Sequence, residues 1–225
     1  MTFASTWVAL CAEPDAIKEA SVSPDERFVI ERVVVWADAE QGQATEDSPF
    51  FRIVERESKR IVTRLPEKGQ AVGSDDAKFL WAPDSNRFAW NYRGRGREEM
   101  TELFQYDAAA KGGGGFKRLD PPAQKLASSL IAPEHTRQIK ALKLPAKSQL
   151  RDIWDSSQVT AWPDEATAEL RVHSIRHVQN TTAKEVPVLD ALFQVTIRFD
   201  PKGKWKVIKT EKLASDAEAQ VPDGE

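Results

Sequence analysis

Short apolar runs separated by Pro, Gly and Asp turns dominate the chain, and several of them alternate with period two. Phe193, Val195, Ile197 and Phe199 interleave with Gln194, Thr196 and Arg198, so one face enters a core and the other stays wet. Trp90 and Tyr92 share a face in the same way, as do Trp205 and Val207. The pattern predicts strands over 29–36, 49–54, 60–65, 78–81, 88–92, 102–106, 116–119, 167–178, 189–199 and 204–210. One stretch departs from it. Leu126 and Leu130 lie four apart, Ile139 and Leu142 three apart, and Leu150, Ile153 and Trp154 form an i, i+3, i+4 set. Helices are expected there, with Asp120 as cap and Pro121 in the first helical position. Pro133 and Pro145 should divide the run into short pieces, serving as a lid on a sheet edge or as a linker.

Two segments read as copies of one unit. Val22-Ser23-Pro24-Asp25-Glu26-Arg27-Phe28 and Trp81-Ala82-Pro83-Asp84-Ser85-Asn86-Arg87-Phe88 each run small residue, Pro, Asp, polar, basic, Phe, then a strand. Pro presets φ for a turn and Asp accepts bonds from backbone N–H groups just downstream, so both corners deliver the chain into a strand in defined register. The second proline, at 83, follows the first, at 24, by 59 residues. Each unit continues as strand, loop, strand, turn, strand, and the strand before each corner completes a four-stranded antiparallel sheet. A third, degenerate copy begins at Ala161-Trp162-Pro163-Asp164-Glu165, and 200–204 is a hairpin turn with Gly203 where positive φ is needed. The expected fold is mainly β: two clear propeller-blade-like sheets and one degenerate one, a short helical insertion, and an incomplete or open propeller. The division is 1–12 as a signal-like segment, 13–120 as two blades, 121–157 as a helical connector, 158–213 as a third β unit, and 214–225 as a disordered acidic tail.

The Ser-Pro-Asp and Ala-Pro-Asp corners, each followed by a basic residue, Phe and a strand, resemble TolB-type β-propeller repeats. The match rests on 21–25 and 80–84 and covers residues 20–120, with 160–212 in degenerate form. The glycine that often follows Asp in such repeats is replaced by Glu26, Ser85 and Glu165. A closed propeller needs about four blades, more than are counted here. The resemblance implies an interaction platform or, as in some peptidases, a gating domain.

Composition narrows the function classes. Of 225 residues, 40% are hydrophobic and 30% charged, and the formal net charge is -3, so a bulk basic field for nucleic acid is missing. No run approaches the roughly 18 apolar residues of a membrane span. With Cys11 as the single cysteine, neither an internal disulfide nor a thiolate zinc site can form. Residues 2–12 are small, apolar and uncharged before the switch to Glu13-Pro14-Asp15, which resembles the second half of a secretory signal peptide cleaved after Ala12. A first strand is the other reading, with a cytoplasmic protein as its consequence, and 8–11 is a loose lipobox. The seven Trp serve either core packing or a carbohydrate-stacking platform.

No catalytic or metal site and no cofactor motif is recognised. His173 and His177 are spaced for a shared metal on a helix, but a strand sets them about 13 Å apart. His135 sits in the helical stretch without a partner pattern. Gly112 to Gly115 lacks a following Lys-Ser or Lys-Thr and leads into a strand, so it reads as a flexible hairpin turn. Asp25, Asp84 and Asp164 repeat at corner positions, which marks Pro24, Asp25, Pro83 and Asp84 as structural. The surface candidate is Tyr92-Arg93-Gly94-Arg95-Gly96-Arg97, where Arg93, Arg95 and Arg97 can present guanidinium groups to an anion, beside Glu98 and Glu99. The expected function is non-enzymatic binding of a protein or an anionic polymer by a periplasmic or secreted β-repeat protein. A hydrolase with an unrecognised carboxylate site and a structural, self-associating subunit are the alternatives.

Overall fold

The computed structural model describes residues 16–34, 50–65, 73–94, 98–110, 113–145, 147–179 and 186–214. Strands β1 (Ala16–Val22), β2 (Phe28–Val34), β3 (Phe50–Glu55) and β4 (Ile61–Leu65) form a four-stranded antiparallel meander. Strands β5 (Gly73–Trp81), β6 (Arg87–Arg93), β7 (Glu98–Asp107) and β8 (Gly115–Arg118) repeat that order. The two predicted blades are therefore present. Both Pro-Asp corners are tight turns between the first and second strand of their blade. Glu26 N–H donates to Ser23 C=O at 2.9 Å and Ser85 N–H to Ala82 C=O at 3.0 Å. Asp25 Oδ1 accepts from Arg27 N–H and Asp84 Oδ1 from Asn86 N–H, each at 3.0 Å. Glu26 and Ser85 both lie at φ 59°, the left-handed region that favours glycine.

These bonds correct the alignment read from the Arg-Phe pairs. Ser23 N–H donates to Phe28 C=O and Ala82 N–H to Arg87 C=O, so Phe28 corresponds to Arg87 and Arg27 to Asn86. The offset is the 59 residues of the corners, and the second Arg-Phe pair sits one position late. Because strand side chains alternate, one position means the opposite face. Phe28 faces the second blade, whereas Phe88 faces back to the first. Together they build an aromatic core between the blades with Ile30, Phe51, Ile53, Trp90, Phe104 and Phe116. Phe88 stacks on Phe104 at 4.9 Å and meets Phe116 edge-on at 5.2 Å. Phe28, Phe51, Phe88 and Trp90 are essentially fully buried, each contributing on the order of 2–3 kcal/mol. The corners also stack on one another: Asp25 N–H donates to Ser85 Oγ and Trp81 Nε1–H to Ser21 Oγ, each at 3.0 Å.

The Gly-rich turn is a docked contact between blades. Arg60 donates to the carbonyls of Gly113 and Gly114, and Thr63 Oγ1 accepts from Phe116 N–H at 2.8 Å. A Cβ on Gly115 would stand 2.7 Å from Val62 O, so only glycine lets the two backbones approach this closely.

The second blade continues into a larger sheet. Strands β9 (Leu150–Asp164), β10 (Thr167–Val178), β11 (Val188–Phe199) and β12 (Trp205–Lys212) form a third antiparallel meander, and β9 joins β7 through a short parallel bridge at Glu98 and Glu99. The resulting eight-stranded sheet curls and stays open, with β12 and β5 as its edges. Pro163 and Asp164 close β9 instead of opening a blade, and the β9–β10 turn is Glu165-Ala166, with Ala166 N–H donating to Asp164 Oδ1 at 2.8 Å. Gly203 has φ 81°, as its hairpin requires.

The helical stretch differs from expectation. One helix, α1 (Ala123–Ala141), runs through Pro133. Helix-to-sheet packing outweighs the single lost backbone bond: Ala123, Ala127, Leu126, Leu130 and Ile131 join the core of Leu170, Val172, Val195 and Ile197. Asp120 does not cap; Pro122 holds that position without a side-chain bond. Leu150, Ile153 and Trp154 belong to β9, so the boundary read at 157/158 falls inside a strand. Pairing with β10 over the whole length of that strand overrides a three-residue helical spacing.

Candidate functional site

The basic loop is placed in two parts. Arg93 ends β6, is exposed, and faces Glu99 across the strand pair. Arg95 and Arg97 lie outside the described residues. Tyr92 is not a surface residue: it is 7% exposed, belongs to the inter-blade core, and donates its hydroxyl to Glu102 Oε1 at 3.3 Å. Burial, with the Glu102 carboxylate adding, pushes its phenol far above the usual range. Pro24, Asp25, Pro83 and Asp84 hold the corners described above. His173 pairs with Asp190 at 3.0 Å, and His177 lies four residues farther along the same strand. Among the described residues no group of three or more His, Cys, Asp or Glu could hold a metal ion. Cys11 lies outside them. Four of the described Trp residues pack: Trp81 and Trp90 in the inter-blade core, Trp162 stacked on Phe199 at 5.5 Å, and Trp205 against the helix-side core.

A cleft of about 470 Å³ opens between α1 and the curled sheet, within the usual range for small-molecule sites. Its roof is a stripe on the helix. Ala127, Ile131, His135 and Ile139 recur every fourth residue and all line it. Its floor comes from β9 and β10. Along the inner face of the sheet Val159, Leu170 and Val172 are core residues. At the same alternation the next positions toward the cleft are Ser157 and Asp155 on β9, and Ser174 and Arg176 on β10. The sheet's inner face thus turns from apolar to polar under the second half of the helix. At the start of β7, Glu98, Glu99 and Met100 close one side, and Ser156 Oγ donates to Glu99 Oε2 at 3.0 Å.

The polar floor is only partly satisfied. Arg176 is committed: its Nε lies 2.7 Å from Asp152 Oδ1, Nη2 donates to Asp155 Oδ2 at 2.6 Å, and Nη1 donates to the carbonyls of Trp154 and Ile175. By contrast, His135 Nε2, Asp155 Oδ1, Ser157 Oγ and Ser174 Oγ are buried without a hydrogen-bond partner. Such an atom ordinarily costs about 1–3 kcal/mol, and three of them, on His135, Asp155 and Ser157, belong to residues lining one cleft, a concentration that ordinary packing avoids. His135 is 6% exposed. Burial, and then the positive charge of Arg176, push the imidazole below its usual range and keep it neutral near pH 7.

The helical spacing of Leu126 and Leu130 gives the helix, but nothing local to His135 announces the cleft. The available signal was the break in the alternation Leu170, Val172, Ser174, Arg176, where polar residues occupy core-facing positions.

No family model matches the chain, and no curated protein does. Among solved structures, a prolyl endopeptidase is similar to it, with 11% identity and a TM-score of 0.34 over 87% of this chain and 29% of that one. The chain therefore spans less than a third of that enzyme's length.

Proposed function

We propose that the chain is a non-enzymatic binding protein, exported to the periplasm or beyond, in which TolB-type blades form a rigid scaffold and the cleft under α1 takes the ligand. That ligand is a small organic molecule or a projecting group of a protein or polymer. The cleft carries the reading: about 470 Å³ lined by an apolar helical stripe and by three residues with partnerless polar atoms, His135, Asp155 and Ser157, the usual division between a site's body-binding wall and its orienting groups. Export is supported by the small, apolar, uncharged residues 2–12. The TolB-type assignment is supported by two corners with the same bonding at a constant offset of 59 residues. The cleft is favoured over the basic loop, where Arg93 stands opposite Glu99 and Tyr92 is buried. A hydrolase reading has less support, because Asp155 is tied to Arg176 and Glu99 to Ser156.

A fragment screen by amide chemical shifts on the full chain tests this. Hits should cluster at 131–139 and 155–157. They should vanish in Ala132→Trp or Thr136→Trp, which fill the cleft mouth from exposed positions on α1. Hits elsewhere, or hits indifferent to both variants, refute the assignment.

A further inference from the structure

We infer that the α1 cleft selects a ligand with an apolar body and a cationic, hydrogen-donating head, an organic ammonium or amidinium, which the Asp155 carboxylate and the unpartnered Nε2 of His135 receive. The inference rests on the cleft being the binding site and adds the class of ligand.

The hydrogen-bonding inventory comes first. Asp155 Oδ1 can only accept, and His135 Nε2 and the hydroxyl of Ser157, partnerless beside it, can accept as well. A ligand that satisfies the set must bring donors. A carboxylate brings none and would face the lone pairs of Asp155 at close range.

Charge agrees independently. The described residues lining the cleft include three carboxylates, Glu98, Glu99 and Asp155, and one guanidinium, Arg176. Arg176 is the group that would receive an anion, but its donors already serve Asp152, Asp155 and two backbone carbonyls. Its charge is neutralised by those two carboxylates, and Glu98 and Glu99 are left to set the field at the rim. Placed in the cleft, a cation gains from that field and lets Asp155 share two positive neighbours, one on each oxygen. The wall of Ala127, Ile131 and Ile139 gives the head an apolar body to be carried on.

The probes are phenethylamine, phenethyl alcohol and hydrocinnamate, which share a phenyl body and differ in the head. Calorimetric titration of the full chain near pH 7 should show the amine binding about ten- to a hundredfold more tightly than the alcohol, the worth of one charge-assisted hydrogen bond. Hydrocinnamate should bind most weakly. Asp155→Asn should bring the amine down to the level of the alcohol. Ser157→Ala leaves the Arg176 pairs untouched and should weaken the amine by about three- to tenfold. The His135 Nε2 resonance should move to that of a hydrogen-bonded acceptor as the amine is added. Equal affinity for amine and alcohol, or tightest binding of hydrocinnamate, overturns the cationic head and leaves the cleft assignment standing. If no probe binds while fragments still map to 131–139 and 155–157, the ligand class alone fails. If neither probes nor fragments reach the cleft, both readings fail.

Discussion

Replacing Arg87 by methionine should loosen the join between the second blade and the curled sheet. Arg87 corresponds to Phe28 of the first blade and faces the next sheet, where it meets turn carbonyls and a single ring, that of Phe199. Its side chain is 9% exposed. The guanidinium donates to Gln105 Oε1 at 3.2 Å, Glu165 O at 2.9 Å and Asp200 O at 3.3 Å, lies 3.6 Å from Asp84, and stands 5.4 Å from the Phe199 ring centroid. Methionine retains the packing of the stem and removes all of these. Glu165 and Asp200 are exposed residues whose carbonyls water can reach after the substitution, so each lost bond should cost about 1 kcal/mol, not the full penalty of a buried orphan. The Asp84 pair and the ring contact add roughly 0.5 kcal/mol each. The total is about 4 kcal/mol, or a fall in Tm of roughly 8–16 °C for a chain of this size. Arg87→Lys retains the charge near Asp84 but reaches fewer acceptors, so it should lose about half as much. Urea unfolding followed by circular dichroism and by Trp fluorescence measures this, since Trp162 stacks on Phe199 beside the site. A methionine variant within about 0.5 kcal/mol of the parent would refute the clamp, as would a lysine variant as unstable as the methionine one.

Two further perturbations test other parts of the fold. Glu26→Gly should stabilise by about 0.5 kcal/mol, because relief of left-handed backbone strain exceeds glycine's entropic cost. Ser85→Gly, at the same φ of 59°, should destabilise by about 1 kcal/mol, because Ser85 Oγ accepts the Asp25 N–H; equal signs in thermal melts would contradict the described corner. Acid should weaken the hold of α1 on β12. Arg137, and with it Lys212 and Gln138, outweigh burial and hold the Glu134 carboxyl far below the usual carboxylate range. A depressed folded pKa gives stability that is present above the unfolded value of about 4.3 and is lost as pH falls below it. Glu134→Gln should therefore be less stable than the parent near neutrality, with the gap narrowing below about pH 4 in urea titrations; a gap that does not change with pH would show that Glu134 acts through packing alone.

Local chemistry determined much of this protein. Proline and aspartate at 24–25 and 83–84 define corners through bonds within a few residues, so the two blades and their spacing are legible without coordinates. Gly203 and the alternation of Phe193 to Phe199 are equally local, because turn φ and strand period are properties of consecutive residues. Tertiary packing decided the rest. Leu150, Ile153 and Trp154 became strand because β10 lay alongside, α1 ran through Pro133 because the sheet held the half before it by core packing and the half after it by the bonds of Glu134 to Lys212 and Gln138 to Asp190, and Gly115 became a contact because β4 approached it. The cleft belongs to this second kind. His135 stands twenty positions before Asp155 and Ser157 follows on the same strand, and none has a neighbour in sequence that marks it. Only the laying of a helix across a curled sheet gathers them, since partnership between polar atoms is set by distance in space and not by order along the backbone.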